Sequence, residues 1–182
     1  MNAPVNVTTV NLSVTSLRDM HATLHALPPE TNQTPWKVVN PRGSHAVAVG
    51  LNAPVDITID GHVGYYAAGM NQQARVIIDG NAGPGVAENI MSGEVRVRGD
   101  ASMAAGAAGC GGLLVIEGNA GARCGISMKG IDIVVFGSVG HMSAFMAQAG
   151  NLVVLGDAGE ALGDSIYEAR LYVRGKVHSL GA

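Results

Sequence analysis

Glycine returns at Gly61, Gly80, Gly99, Gly118, Gly137, Gly156 and Gly175, an unbroken series at intervals of nineteen residues, and no other feature constrains the fold as tightly. Two residues before each glycine stand Ile59, Ile78, Val97, Ile116, Val135, Val154 and Val173. Four before stand Ile57, Val76, Val95, Leu114, Ile133, Leu152 and Leu171. A spacing of two puts both columns on one face of a strand, and repetition at nineteen stacks equivalent strands. Two residues after each glycine a further column, Val63, Ala82, Ala101, Ala120, Val139, Ala158 and Val177, is small or branched and never charged, which marks a second inward position. Three after, glycine recurs in five rungs (Gly64, Gly83, Gly121, Gly140, Gly159), where a Cβ would hinder the backbone angles or a close approach. Seven after, Ala68, Ala87, Gly106, Gly125, Ala144 and Gly163 mark another tight corner.

Nineteen residues are too few for a pair of helices, and the leucine–asparagine ladder of a leucine-rich repeat is missing. What remains is an all-β fold, a single-stranded right-handed parallel β-helix of about seven to eight rungs. Rungs about 4.8 Å apart make a rod roughly 30 Å long over six intervals, and the hand is that of nearly all parallel crossovers. The β-helix domain is expected over 36–182. Its first rung, Trp36 to Gly50, is irregular. Residues 1–35 form an arm in which Ser16 caps a short helix, with Asp19 three residues on. Leu17, Met20, Leu24 and Leu27 recur at helical spacing until Pro28-Pro29 stops it. An open parallel stack leaves unpaired edges at its ends, and the arm is a candidate cap for one of them.

Composition agrees. The 182 residues are 47 % hydrophobic but only 4 % aromatic, so the interior is filled by Val, Ile, Leu, Ala and Met. A net charge of −3 with 14 % charged residues gives no footprint for gripping nucleic acid. No apolar run reaches the roughly 18 residues of a membrane span and the start lacks a secretory segment, so a cytoplasmic location is expected. Cys110 and Cys124 form no disulfide framework and are read as small buried hydrophobes.

Chemistry-bearing residues do not converge in the sequence, and no catalytic, cofactor-binding or metal residue is assigned. The six histidines are scattered. His21 and His25, four apart on the predicted helix, share a face without a carboxylate or cysteine to join them. Gly106 to Gly112 is glycine-rich, but it opens no helix and lacks a phosphate-gripping lysine. Asp60, Asp79 and Glu117 fall on the outward strand face, where stacked surface charges explain them more simply than paired-carboxylate catalysis. Met91, Met103, Met128, Met142 and Met146 belong to corners, as gap fillers or interface residues.

The outward strand positions carry more information. Three before each glycine they read Thr58, Ile77, Arg96, Val115, Val134, Val153 and Tyr172, so the middle rungs turn apolar. One before the glycine, Phe136 and Leu155 interrupt a charged series. Val115, Val134, Phe136, Val153 and Leu155 are therefore expected to form one outward patch, an interface for a partner protein or else a surface covered by the chain's own arm.

The glycine corners with branched strands between them resemble the carboxy-terminal β-helix domain of the large subunit of glutamate synthase, over about residues 40–182. The specific portion is Arg123-Cys124-Gly125-Ile126-Ser127-Met128-Lys129-Gly130-Ile131-Asp132, Gly140-His141-Met142-Ser143-Ala144-Phe145-Met146 and Gly159-Glu160-Ala161-Leu162-Gly163-Asp164-Ser165. These segments look like the β-helix subunit of the N-methylglutamate synthase family. The resemblance implies a non-catalytic scaffold within a hetero-oligomer, whose partners are an amidotransferase-like subunit and a glutamate-synthase-like subunit that holds FMN and iron–sulfur clusters. Imines formed in exchanging the ammonia of glutamate for methylamine would be reduced on that flavin. Related chains are expected to continue past Ala182, which leaves the carboxy-terminal cap unassigned. The repeat also resembles the β-helix subunit of formylmethanofuran dehydrogenase and of the related formyltransferase/hydrolase complex, again a partner of catalytic chains. An autonomous β-helix enzyme is the alternative of another class; it lacks a convergent acid, base or arginine cluster and carbohydrate-stacking aromatics.

Overall fold

A computed structural model describes residues 7–31 and 35–182; the parts of the arm at 1–6 and 32–34 lie outside the described residues. Among the described residues the strands are β1 (Thr8–Asn11), β2 (Pro35–Val39), β3 (Asp56–Asp60), β4 (Arg75–Ile78), β5 (Glu94–Val97), β6 (Leu113–Ile116), β7 (Lys129–Val135), β8 (Ala149–Val154) and β9 (Arg170–Val173), with one helix, α1 (Leu17–His25), after β1. They form a single nine-stranded parallel sheet in sequence order. Such an order arises when the chain coils and lays each strand over the one before, and the fold is a β-solenoid. The register obeys the period: Ile57 pairs with Val76, Val76 with Val95, Val95 with Leu114 and Leu114 with Ile133.

The inward columns make the core. Ile59, Ile78, Val97, Ile116, Val135 and Val154 are fully buried, as are Val76, Val95, Leu114, Ile133 and Leu152. The column two after the glycines forms a second ladder of parallel bridges from Val63 through Ala82, Ala101, Ala120, Val139 and Ala158 to Val177. These columns of like side chains pack into one hydrophobic cluster.

The repeated glycines have a reason other than their dihedral angles. Of the seven, only Gly61 has a positive φ, at 130°. The others are stacked backbone on backbone: Gly99 N–H donates to the Gly80 carbonyl at 3.1 Å, Gly118 to Gly99 at 3.1 Å and Gly137 to Gly118 at 2.9 Å. A Cβ on Gly118 would lie 2.7 Å from the Gly99 oxygen, and one on Gly80 would lie 2.7 Å from the Gly61 carbonyl. The glycines at the third position obey the same rule, a Cβ on Gly140 falling 2.6 Å from the Ala122 nitrogen.

The left-handed backbone lies further along each rung, in a ribbon of turns. Tyr66, Ala68 and Met70 have φ of 58°, 53° and 53°. The pattern recurs five, seven and nine residues after each glycine from Gly61 to Gly156, as in Ala104, Gly106 and Ala108, then Arg123, Gly125 and Ser127, then Met142, Ala144 and Met146. Alternate amides point to opposite neighbours. Ser127 N–H donates forward to Phe145 O at 2.8 Å, while Gly125 donates back to Ala105 O at 2.8 Å. Each non-glycine residue there bears a cost of about 1 kcal/mol, offset by a hydrogen bond between rungs that a β-strand would otherwise have supplied. The expected corner at the seventh position is thus the middle of a hydrogen-bonded ribbon.

The arm joins the stack. β1 pairs with β2, Thr8 opposite Trp36 and Val10 opposite Val38. Ser16 caps α1, its hydroxyl oxygen accepting from Asp19 N–H at 3.1 Å, and Met20 and Leu24 are buried in the same core as the strands. The helix closes the apolar end of the coil at the first rung.

Candidate functional site: the outward face of the sheet

On the outward side of a strand, side chains are not needed for the core, so what stands there reports what the face meets. From β2 to β6 the face carries charges that pair with one another across neighbouring rungs. Lys37 pairs with Asp60 at 3.0 Å, Arg98 with Asp79 at 3.1 Å, Arg75 with Glu94 at 3.3 Å, and Arg96 with both Glu94 and Glu117 at 3.4 and 3.1 Å. Asp60, Asp79 and Glu117 are accordingly ion-pair partners. At these exposures each pair is worth little in stability, up to about 1 kcal/mol.

From β6 onward the face turns apolar. Val134 on β7 lies beside Val153 on β8, and Val153 beside Tyr172 on β9. Phe136 and Leu155 follow the ends of β7 and β8. Phe136 is 48 % exposed and Tyr172 52 %, while Val134, Val153 and Leu155 are half-buried. Leu113, Val134, Val153 and Tyr172 line a shallow groove of about 390 Å³, with Asp132 and Asn151 on its rim, hydrogen-bonded to each other at 2.7 Å.

Val115 is placed differently from the expectation. It is only 5 % exposed, because its in-register neighbour Arg96 reaches across to Glu117 beyond it. The patch therefore begins at Val134, with Leu113 entering one position earlier on the strand and Tyr172 extending it to β9. The described part of the arm does not cover it: β1 and α1 sit at the opposite end, against β2 and the first rung. The signal for Leu113 is a polar and charged column, five before each glycine, that turns apolar in one rung.

A second surface feature escaped the sequence reading. One residue after each glycine stand His62, Asn81, Asp100, Asn119, Ser138, Asp157 and Lys176, and each of the first six accepts the backbone N–H of its successor. The distances run from 2.7 Å (Asn119 N–H to Asp100 Oδ1) to 2.9 Å (Ser138 N–H to Asn119 Oδ1 and Asp157 N–H to Ser138 Oγ). These side chains continue the backbone ladder at a corner where strand pairing stops. The column held only hydrogen-bonding residues, but polarity at a turn reads as solvation.

The remaining candidates are brought together only in part. His21 and His25 stack face to face with ring centroids 5.5 Å apart. His25 Nε2 donates to Val49 O at 2.9 Å, whereas His21 Nε2 is buried without a partner. Burial, and then the neighbouring His25, hold His21 below the ordinary value of 6.5. Among the described residues no three His, Cys, Asp or Glu side chains group as metal ligands would. Cys124 is fully buried, and burial pushes its thiol up to about 12. Cys110 is exposed, contrary to the expectation of a second buried thiol. Met128 is buried, but Met91, Met103 and Met146 are 44–49 % exposed and, with Tyr66, Met70 and Tyr167, give the ribbon side its own apolar surface. No helix among the described residues is long and apolar enough to cross a membrane.

With this geometry in view, one comparison with known proteins is informative. Over 59 residues the chain is 63 % identical to Protein GlxC of Rhizobium meliloti (strain 1021). The match covers 32 % of this chain and 26 % of that relative, so the chain spans about a quarter of its length in alignment. No protein-family model matches, and no solved structure does.

Proposed function

We propose that the chain is a non-catalytic scaffold subunit of a glutamate-synthase-type enzyme complex, most specifically of N-methylglutamate synthase. In this reading redox chemistry belongs to a partner that holds FMN and iron–sulfur clusters, and a second partner is amidotransferase-like. The solenoid holds them in place through its surfaces. The observation that carries the reading is the division of the outward face: ion-paired within itself up to β6, then apolar and open around Val134, Phe136, Val153 and Leu155. Soluble proteins rarely leave such a stripe in water, and a stripe that core packing does not require points to contact with protein. The family resemblance of the segments from Arg123 onward supplies the choice of complex.

Purifying the tagged chain from its native cells tests this. The expected result is a complex with flavin absorbance and an amidotransferase-like chain, while the isolated chain has neither bound flavin nor turnover. A partner set that transfers formyl groups, or turnover by the isolated chain, overturns it.

A further inference from the structure

The apolar half of the outward face is complementary to itself. The strands β6 to β9 present three outward columns: Leu113, Asp132, Asn151 and Arg170; then Val115, Val134, Val153 and Tyr172; then Glu117, Phe136, Leu155 and Arg174. Consider a half-turn about an axis that lies on this face, runs along the strands and passes midway between β7 and β8. It keeps position along the strand and reverses the order of strands. β7 of one copy then faces β8 of the other, and β6 faces β9. Val134 meets Val153, Phe136 meets Leu155, and Asp132 meets Asn151, each twice. Glu117 meets Arg174, also twice.

In the third column the ends of the stripe therefore carry opposite charges at the positions that this two-fold axis brings together, while in the first column Leu113 meets Arg170 at the rim. Arg174 suits this role: its Nε donates to Leu155 O at 3.0 Å, and it has no carboxylate partner among the described residues. Glu117 holds Arg96 at 3.1 Å and remains one-third exposed, so it can accept a second guanidinium. An axis along the rod instead would set Asp132 against Phe136 and Arg170 against Arg174, burying a lone carboxylate and opposing like charges. Sheets packing face to face keep their strands within about 30° of each other, which the axis along the strands satisfies.

We infer that this face is occupied by a second copy of the chain, in an isologous dimer across β6 to β9, which leaves the methionine- and tyrosine-rich ribbon side for other subunits. The inference rests on the reading of the outward face as a protein contact and names what contacts it. A patch four rungs long is small for a permanent dimer, so a reversible association is expected.

Sedimentation velocity of the purified full chain from about 1 to about 200 µM tests the inference. A monomer–dimer equilibrium is expected, shifted at least about tenfold towards monomer by Val153→Asp. Arg174→Glu and Glu117→Arg each weaken the dimer, and the double variant, which swaps the charges across both symmetric contacts, restores it. Circular dichroism of each variant checks that the solenoid is intact. A chain that stays monomeric throughout the range overturns the inference, as does a dimer indifferent to Val153→Asp or a double variant no better than the singles. The proposed function fails separately: a dimer that binds no flavin partner sinks the scaffold reading and keeps the dimer, and a monomer found in the flavin complex does the reverse.

Discussion

Replacing Gly118 by alanine isolates the force that keeps the glycine column. The new Cβ would lie 2.7 Å from the Gly99 carbonyl oxygen and 2.8 Å from its carbon, with the Asp100 carboxylate also in the way. Backbone atoms of a neighbouring rung cannot swing aside as a side-chain tip does, so the rungs must part by roughly half an ångström to recover ordinary contact. That opens the bond from Gly118 N–H to Gly99 O (3.1 Å) and strains those of Glu117 (2.8 Å) and Asn119 (2.7 Å). Overpacking costs about 1–3 kcal/mol and a weakened hydrogen bond about 1 kcal/mol, for a total near 3 kcal/mol. Gly43 is the control: its φ is +73°, and a Cβ there meets nothing within 4 Å. Alanine at Gly43 bears only the left-handed penalty, about 1 kcal/mol. Urea unfolding supplies the comparison, with hydrogen exchange at the Gly118 and Gly137 amides to catch rung-by-rung opening. If Gly43→Ala costs as much as Gly118→Ala, the glycines are kept for their dihedral freedom and the close-stacking account is refuted.

Three further outcomes follow from the same geometry. Asn119→Ala strips the acceptor from Ser138 N–H and costs about 1 kcal/mol, whereas Asn119→Ser is nearly neutral because Ser138 already serves as an acceptor in that column; equal losses in urea unfolding would remove the ladder's role. His21 is held below its ordinary 6.5 where α1 is docked, so the undocked helix binds the proton more tightly. Docking is therefore complete above about pH 6.5 and weakens as pH falls below it, which amide exchange of α1 between pH 7.5 and 5 reads, and His21→Leu abolishes the dependence. In the native protein a maleimide modifies Cys110 alone, since Cys124 is buried with its thiol at about 12; rapid double labelling without denaturant contradicts the placement.

The columns that fill the coil were legible because a buried position on a stacked strand tolerates only apolar residues, and seven repeats leave little room for coincidence. Ile59, Ile78, Val97 and Ile116 announced the strands, and Ser16 with Asp19 announced the helix. The ribbon was hidden for the opposite reason. Its left-handed positions hold Tyr66, Met70, Arg123 and Met142 as readily as glycine, because hydrogen bonds between rungs, rather than local preference, impose the conformation. Val115 was misplaced because burial on an outward face depends on where a neighbour's long side chain lies. Nothing in the spacing says that Arg96 turns towards Glu117.

This division bears on where function can reside. In each rung the inward columns, the stacked glycines and the polar ladder all have structural duties that repeat without change along the rod. The outward columns have none, since a strand's outer side chains contribute to its pairing by at most about 1 kcal/mol. Had they been left to drift, charge and apolar character would be mixed along the stack. Instead the middle column passes from Arg96 to Val115, Val134 and Val153, and the column beside it from Glu117 to Phe136 and Leu155, before ending in an arginine with no carboxylate of its own among the described residues. A composition that departs from the repeat where the repeat makes no demand answers to something outside the chain, and a stripe in which Glu117 and Arg174 stand at mirrored ends answers most simply to itself.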